Sequence, residues 1–156
     1  MNESPNYYIM NQVLDYAQKL IYQGESPFAA GLWINNKLFI AGNKSHTAKN
    51  PNLHAEIVCI NEFFKQNSSE PLEKAILFSS CEPCLMCFHY IYNSGIRHIV
   101  YSASIEDAIK YNSGDLPIHI DNYAIQMNMD IEIEGLLLRE RACDIFKECV
   151  TFKGQL

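Results

Sequence analysis

Apolar residues recur along the chain at helical and at alternating spacing, and the two patterns predict alternating helices and strands. A stripe of apolar and aromatic side chains at helical spacing predicts the first helix: Ile9, Val13, Tyr16, Ala17 and Leu20. Similar stripes predict three further helices, so that the predicted helices cover about residues 6–23, 53–66, 84–93 and 136–149.

Short apolar runs predict strands between these helices, over about residues 28–34, 37–41, 75–80, 99–102 and 131–133. Asn35-Asn36 separates the first two runs and predicts a hairpin, whereas residues 42–52 and 67–70 read as polar connections. Residues 106–128 have the weakest pattern and read as irregular or partly helical. Strands that alternate with helices indicate a three-layer α/β/α sandwich, with helices on both faces of one sheet.

The composition is that of a globular protein. The 156 residues fit one domain, 1–156, in which 48% of residues are hydrophobic and 19% are charged. A net charge of −6 argues against a broad electrostatic hold on nucleic acid. No apolar run approaches the ~18 residues of a membrane span, and the residues from Met1 to Pro5 lack a secretory pattern. We therefore expect a cytoplasmic protein that does not enter a membrane.

Three of the six cysteines, Cys81, Cys84 and Cys87, lie within one short segment. Because a reducing compartment disfavours disulfides, this crowding points to a metal or to catalysis. His54 and Cys84 each open a predicted helix, where the helix dipole stabilises a thiolate. Cys84 and Cys87 face the same side of their helix, and Pro83 suits its start.

His54-x-Glu56 together with Pro83-Cys84-x-x-Cys87 is the signature of zinc-dependent nucleobase deaminases. His54, Cys84 and Cys87 would hold one Zn²⁺ per subunit and leave its fourth position open for water, whose pKa zinc lowers toward 7. Glu56 follows His54 by two residues and so points elsewhere in a helix. It would carry the water proton to a ring nitrogen and, in a separate step, would protonate the departing amino group.

Three other interpretations of these residues compete with a catalytic zinc site. His54 and Glu56 could each be ordinary surface residues, but their joint occurrence with the cysteines argues against that. An iron–sulfur run would need a further cysteine and then a proline where Ile91 and Tyr92 stand. A structural zinc with Cys81 as fourth ligand would leave Glu56 unexplained. The remaining cysteines read as packed residues: Cys59, Cys81, Cys143 and Cys149.

At these residues the chain resembles the cytidine-deaminase-like superfamily, and the segment from Ser80 to Cys87 looks like the second motif of its purine branch. That branch contains bacterial guanine deaminase and the tRNA adenosine deaminases. The resemblance covers about residues 12–149 and is strongest at the two zinc motifs. It implies a mixed five-stranded sheet between helices, a homodimer, and hydrolytic loss of ammonia from a nucleobase.

The resemblance also implies three substrate-binding residues. Phe28 corresponds to an aromatic over the substrate ring, Asn43 to an asparagine that hydrogen-bonds the base, and Asp107 to an aspartate that reads the purine edge. Phe28 could equally be a core aromatic and Asp107 an acid at a helix start. The apolar helix from Leu85 to Tyr92 fits a dimer interface or deep burial within one subunit.

The substrate is less clearly indicated than the chemistry. The tail, residues 152–156, lacks the aromatic end of guanine deaminase, which completes the partner's site there. The segment after Tyr101 lacks the pattern common in tRNA adenosine deaminases, although Ser113-Gly114-Asp115 could be a remote counterpart. Basic residues near the C-terminus alternate with acids, which is typical of a solvated face rather than an RNA surface.

We therefore expect a free-purine deaminase that converts guanine to xanthine and ammonia. The alternatives are a tRNA-specific adenosine deaminase, a deaminase of cytosine, cytidine or another aminated heterocycle, and a catalytically silent, zinc-stabilised interaction module. The intact Glu56 argues against the silent module.

Overall fold

A computed structural model describes residues 4–67, 69–154 and 156 of the chain. The expectations for the N-terminal residues Met1 to Glu3, for Ser68 in the predicted connection 67–70, and for Gln155 in the tail fall outside this part. The helices are α1 (Pro5–Ile21), α2 (Ala55–Gln66), α3 (Leu85–Asn93), α4 (Ile105–Lys110), α5 (Ile120–Gln126) and α6 (Arg139–Lys153). The strands are β1 (Ala29–Ile34), β2 (Lys37–Gly42), β3 (Ile76–Cys81), β4 (His98–Ala103) and β5 (Glu132–Glu134).

The five strands form one mixed sheet in the order β2-β1-β3-β4-β5. β1 pairs antiparallel with both β2 and β3, whereas β3, β4 and β5 run parallel. This arrangement confirms the predicted fold class. The β1–β2 hairpin turns at Asn35 and Asn36, whose φ angles of 51° and 59° suit a two-residue type I′ turn.

Two apolar cores lie on opposite faces of the sheet. One is built from α2, α3 and α5, with Ile60, Phe88 and Ile120 among its fully buried side chains. The other is built from α1, α4 and α6, with Met10 and Phe146 fully buried. The helices therefore form the two outer layers that the alternating pattern predicts.

The weakly patterned residues 106–128 contain most of α4 and all of α5, which are short helices joined by an irregular segment. α6 begins at Arg139, later than predicted, because Leu136 and Leu138 adopt left-handed backbone conformations with φ of 66° and 60°. β5 is only three residues long at the sheet edge. These are the segments in which side-chain periodicity gives the least information.

The apolar helix α3 is buried on one side and exposed on the other. Cys87, Phe88 and Ile91 are buried, while Met86 is 40% exposed. The structure therefore does not bury α3 on all sides within one subunit. None of the described helices combines the length and apolar character that crossing a membrane requires.

Candidate active site

The predicted metal ligands come together where two helices begin. His54 is the N-cap of α2, Cys84 is the N-cap of α3, and Cys87 lies in the first turn of α3. The N-cap side chains make no capping hydrogen bond, so both are free to bind a ligand. Cys84 follows closely on the end of β3, which places it at the carboxyl edge of the parallel strands.

The distances within this trio suit a tetrahedral zinc ion. His54 Nδ1 lies 3.6 Å from Cys84 Sγ and 3.5 Å from Cys87 Sγ. All three ligand atoms lie within 4.8 Å of one another. Bond lengths of about 2.0–2.3 Å to zinc would place tetrahedral ligands about 3.4–3.8 Å apart. The residues present therefore fit a zinc ion, with two sulfur ligands and one imidazole.

The electrostatics of the trio favour a thiolate. Hydrogen bonds from Cys87 and from His54 lower the pKa of Cys84 to about 4, against the effect of burial. The pKa of His54 is raised, first by its hydrogen bond to Cys84. A thiolate is the form of cysteine that binds metal.

Glu56 lies beside the trio without belonging to it. It is only 7% exposed, and its Oε1 accepts a 3.0 Å hydrogen bond from Ser79 Oγ on β3. Burial raises the pKa of Glu56, and the nearby Cys84 acts in the same direction. A buried carboxyl group with a raised pKa, next to a metal-binding trio, is suited to accept and return a proton.

A pocket of about 330 Å³ opens over His54, Cys84 and Glu56. Phe28 lines it directly before β1 and contacts Phe146 edge-on, with ring centroids 5.5 Å apart. Asn43 lines it directly after β2, where its backbone N–H donates to Phe28 O. The structure thus brings five predicted residues to one pocket: Phe28, Asn43, His54, Glu56 and Cys84.

The structure does not bring Asp107 to this pocket. Asp107 is the third residue of α4 and forms a capping box with Ser104. Both of its carboxylate oxygens accept 2.8 Å hydrogen bonds from Arg139, which, together with those from Ser104, lower the pKa of Asp107 to about 2. Its observed contacts are those of a helix start, and its role in substrate binding stays a prediction.

Asp115 is an acidic residue that does line the pocket. It lies in the irregular segment between α4 and α5, near Asn112 and Ser113, which also line it. Burial raises the pKa of Asp115. The Ser113-Gly114-Asp115 motif was the sequence signal for this acid, but no local periodicity indicated that the segment reaches the site.

Glu82 also lines the pocket, although the sequence patterns indicate no role for it. Its buried carboxylate accepts hydrogen bonds of 3.0 Å from Ile105 N and 2.9 Å from Ile120 N, and it pairs with His119 Nδ1 at 3.1 Å. Glu82, His119 and Asp121 also place three ligand atoms within 4.8 Å. Because Glu82 already ties the starts of α4 and α5 to the segment before Cys84, its role is structural.

Cys81 lines the pocket but is not a member of the metal-binding trio. Its thiol lies 3.6 Å from Ser104 O and donates to it. Burial raises the pKa of Cys81 well above its usual value, which keeps it a thiol. These contacts agree with the prediction of a packed residue rather than a fourth ligand.

Residues 3–103 match the family model described as the cytidine and deoxycytidylate deaminase zinc-binding region. The chain belongs to this deaminase family. Its match covers both ligand motifs, and together with the geometry above it makes the protein a zinc-dependent hydrolase that deaminates its substrate. When bound, zinc supplies a water-derived nucleophile at neutral pH.

Relatives within the family carry two different names. The chain is 32% identical over 111 residues to a tRNA-specific adenosine deaminase of Buchnera aphidicola, covering 70% of this chain and 74% of the relative. It is 32% identical over 90 residues to the guanine deaminase of Bacillus subtilis, covering 57% of this chain and 58% of the relative. Both names belong to the purine branch, so the sequence likeness leaves the substrate open.

A solved guanine deaminase from Nitrosomonas europaea has the same fold. It superposes with a TM-score of 0.84 at 24% identity, covering 97% of this chain and 87% of that one. The likeness therefore extends beyond the zinc motifs to α6 and the sheet edge.

Proposed function

We propose that the protein deaminates a free purine base, with guanine as the first candidate. The observation that carries this proposal is the pocket itself. At about 330 Å³ it lies at the lower end of the usual range for small-molecule sites, about 300–1,000 Å³, which suits a single base. Its described lining contains no Lys or Arg. Phosphate contacts to an RNA substrate would need such residues around the base.

In this proposal His54, Cys84 and Cys87 hold the zinc ion, and Glu56 moves the proton. Glu56 takes one proton from the attacking water and delivers it to a ring nitrogen. It then takes the second proton from the hydroxyl group of the tetrahedral adduct and gives it to the amino group, which leaves as ammonia. Phe28 packs against the face of the base, and Asn43 and Asp115 hydrogen-bond its edge. Of the two acids, the contacts described above support Asp115 rather than Asp107 as the purine-reading group.

A tRNA adenosine deaminase is the second candidate, because the Buchnera aphidicola relative of that name matches 70% of the chain. The two proposals differ in the size of the substrate. Zinc-loaded protein should be assayed for ammonia release from guanine, adenine, cytosine, cytidine and a tRNA anticodon stem-loop. Release from guanine alone supports the first proposal, whereas release from the stem-loop alone overturns it.

The variant Glu56→Gln is the matched control for this assay. It should retain one zinc per chain, because Glu56 is not a ligand, and should lose turnover on every substrate. Turnover close to that of the unaltered protein would exclude Glu56 as the proton carrier. No release from any substrate by zinc-loaded protein would favour the silent interaction module instead.

We also propose that the protein is a homodimer in which α3 meets its counterpart. Met86 and His89 are exposed on the side of α3 that faces away from the core, and Met86 is an apolar side chain 40% accessible. Burying such a side chain on a partner is favourable. Light scattering should give twice the chain mass, and Met86→Lys should shift the protein to monomer. A monomeric unaltered protein would contradict the proposal.

A further inference from the structure

Glu25 is a buried carboxylate behind the pocket wall, and no ligand motif includes it. It lies between α1 and β1 and is 3% exposed. Its Oε2 accepts from Asn43 Nδ2 at 2.9 Å and from His46 N at 3.3 Å. Its Oε1 accepts from the backbone N and the hydroxyl of Thr47, at 2.6 and 2.5 Å.

These four hydrogen bonds satisfy a buried negative charge. Burial acts to raise the pKa of Glu25, but the hydrogen bonds from Thr47, His46 and Asn43 outweigh it and lower the pKa. An ionised carboxylate accepts hydrogen bonds and donates none. Glu25 therefore requires a donor from each group that faces it.

This requirement fixes the orientation of the side-chain amide of Asn43. Because Glu25 can only accept, Asn43 must turn Nδ2 toward it. The other Nδ2 hydrogen is directed to Ser45 Oγ, 2.8 Å away. Both amide hydrogens are then engaged within the protein. Among the described residues Oδ1 has no donor, and it is the polar atom that Asn43 retains for a ligand in the pocket that it lines.

We propose that Glu25 is a positioning residue that makes Asn43 a fixed hydrogen-bond acceptor, so that the pocket selects a base with an N–H donor at this edge. The inference rests on the proposed function, since it assigns a direction to the hydrogen bond between Asn43 and the base. A free purine carries an imidazole N–H, whereas in a nucleoside the glycosidic bond to the sugar takes the place of that N–H. With Asn43 Oδ1 fixed as an acceptor, a ring nitrogen that carries a lone pair and no hydrogen cannot form this hydrogen bond and is disfavoured.

The test is a double-mutant cycle with Glu25→Gln, Asn43→Ala and the double variant. A glutamine has a single acceptor oxygen for the donors that Glu25 satisfies, so Asn43 is no longer held in one orientation. We expect Glu25→Gln to lower kcat/KM about tenfold, mainly through KM, with zinc content unchanged. In the Asn43→Ala background the same change should have almost no further effect, because Glu25 acts through Asn43.

Thr47→Val is the matched control. It removes one hydrogen bond to Glu25 but leaves the bond to Asn43, and Thr47 does not line the pocket. It should therefore change stability without changing KM. Effects of Glu25→Gln and Asn43→Ala that multiply fully in the double variant would overturn the proposal, because they would show that Glu25 supports only the loop.

A second measurement does not require turnover. In ¹⁵N-labelled protein the side-chain amide protons of Asn43 should be protected from exchange with water, and Glu25→Gln should remove that protection. If zinc-loaded protein deaminates no base, the proposed function fails, yet this measurement still decides whether Glu25 holds Asn43. Asn43 amide signals unchanged by Glu25→Gln would overturn the positioning role even in an active enzyme.

Discussion

Replacing Asp107 by asparagine separates a structural role from a substrate role. The carboxylate has an ordinary pKa of 3.8 and a folded-state pKa of about 2, first because of its hydrogen bonds from Arg139. That difference is equivalent to about 2.5 kcal/mol of native-state stabilisation at neutral pH. Because the Arg139 side chain is 51% exposed, solvent screens the interaction, and we expect Asp107→Asn to cost about 1 kcal/mol.

The pH dependence of this cost follows from the direction of the shift. A carboxyl group whose pKa is lowered by folding contributes stability above its ordinary pKa of 3.8. That contribution is lost as the pH falls through about 2, where the native carboxylate is also protonated. Urea unfolding of both proteins should therefore show a difference at pH 6 that disappears near pH 2. Loss of zinc in acid affects both proteins alike, so the difference between them isolates Asp107.

Kinetics provide the result that would refute this reasoning. If Asp107 only supports α4 and α6, Asp107→Asn should leave KM for the purine unchanged while stability falls. Arg139→Met should likewise lower stability and leave KM unchanged, because this variant removes the other half of the same ion pair. A tenfold higher KM with unchanged stability would show that Asp107 binds the substrate, as the family resemblance implies, and that its pairing with Arg139 is incidental.

Three further outcomes are expected. Cys87→Ser should reduce the zinc content from about one ion per chain to almost none, as metal analysis would show. It should also lower the thermal midpoint in calorimetry, because zinc binding stabilises the folded chain. Full retention of zinc would contradict the assignment of Cys87 as a ligand. Ser79→Ala should leave zinc bound but lower kcat about ten- to a hundredfold, since Ser79 orients Glu56, and an unchanged kcat would exclude that role. Ser102→Ala should leave the free energy of unfolding in urea unchanged or raise it by about 1 kcal/mol, because the buried hydroxyl has no hydrogen-bond partner among the described residues. A clear loss of stability would show that the hydroxyl does have such a partner.

Local patterns were sufficient to predict the elements that carry the chemistry. Asn35-Asn36 predicts its turn because asparagine tolerates positive φ, and the chain needs such residues at two successive positions. The apolar stripes that follow His54 and Cys84 predict that each residue lies at the start of a helix. The ligand trio then follows, because two helix starts at one edge of a sheet bring their first residues together.

The substrate side of the pocket depends on contacts between distant segments, which periodicity does not record. Asp115 reaches the pocket from the irregular segment before α5, and Glu82 holds the start of α5 at Ile120 N. Asp107 matched a motif but is held by Arg139, a residue that lies 32 positions away in the chain. Glu25 gains its role only from the folding of the loop that follows β2. Such pairings are settled by tertiary packing rather than by local sequence.

The two kinds of pocket residue come from different parts of the architecture. The residues for metal binding and proton transfer lie at the starts of α2 and α3, whereas Asn43 and Asp115 lie on connections after β2 and after α4. Loops tolerate exchange far better than packed helix ends do. Selection for a new aminated heterocycle can therefore act on two connections while the reaction machinery stays intact, which makes this scaffold a practical starting point for redirecting deamination to other bases.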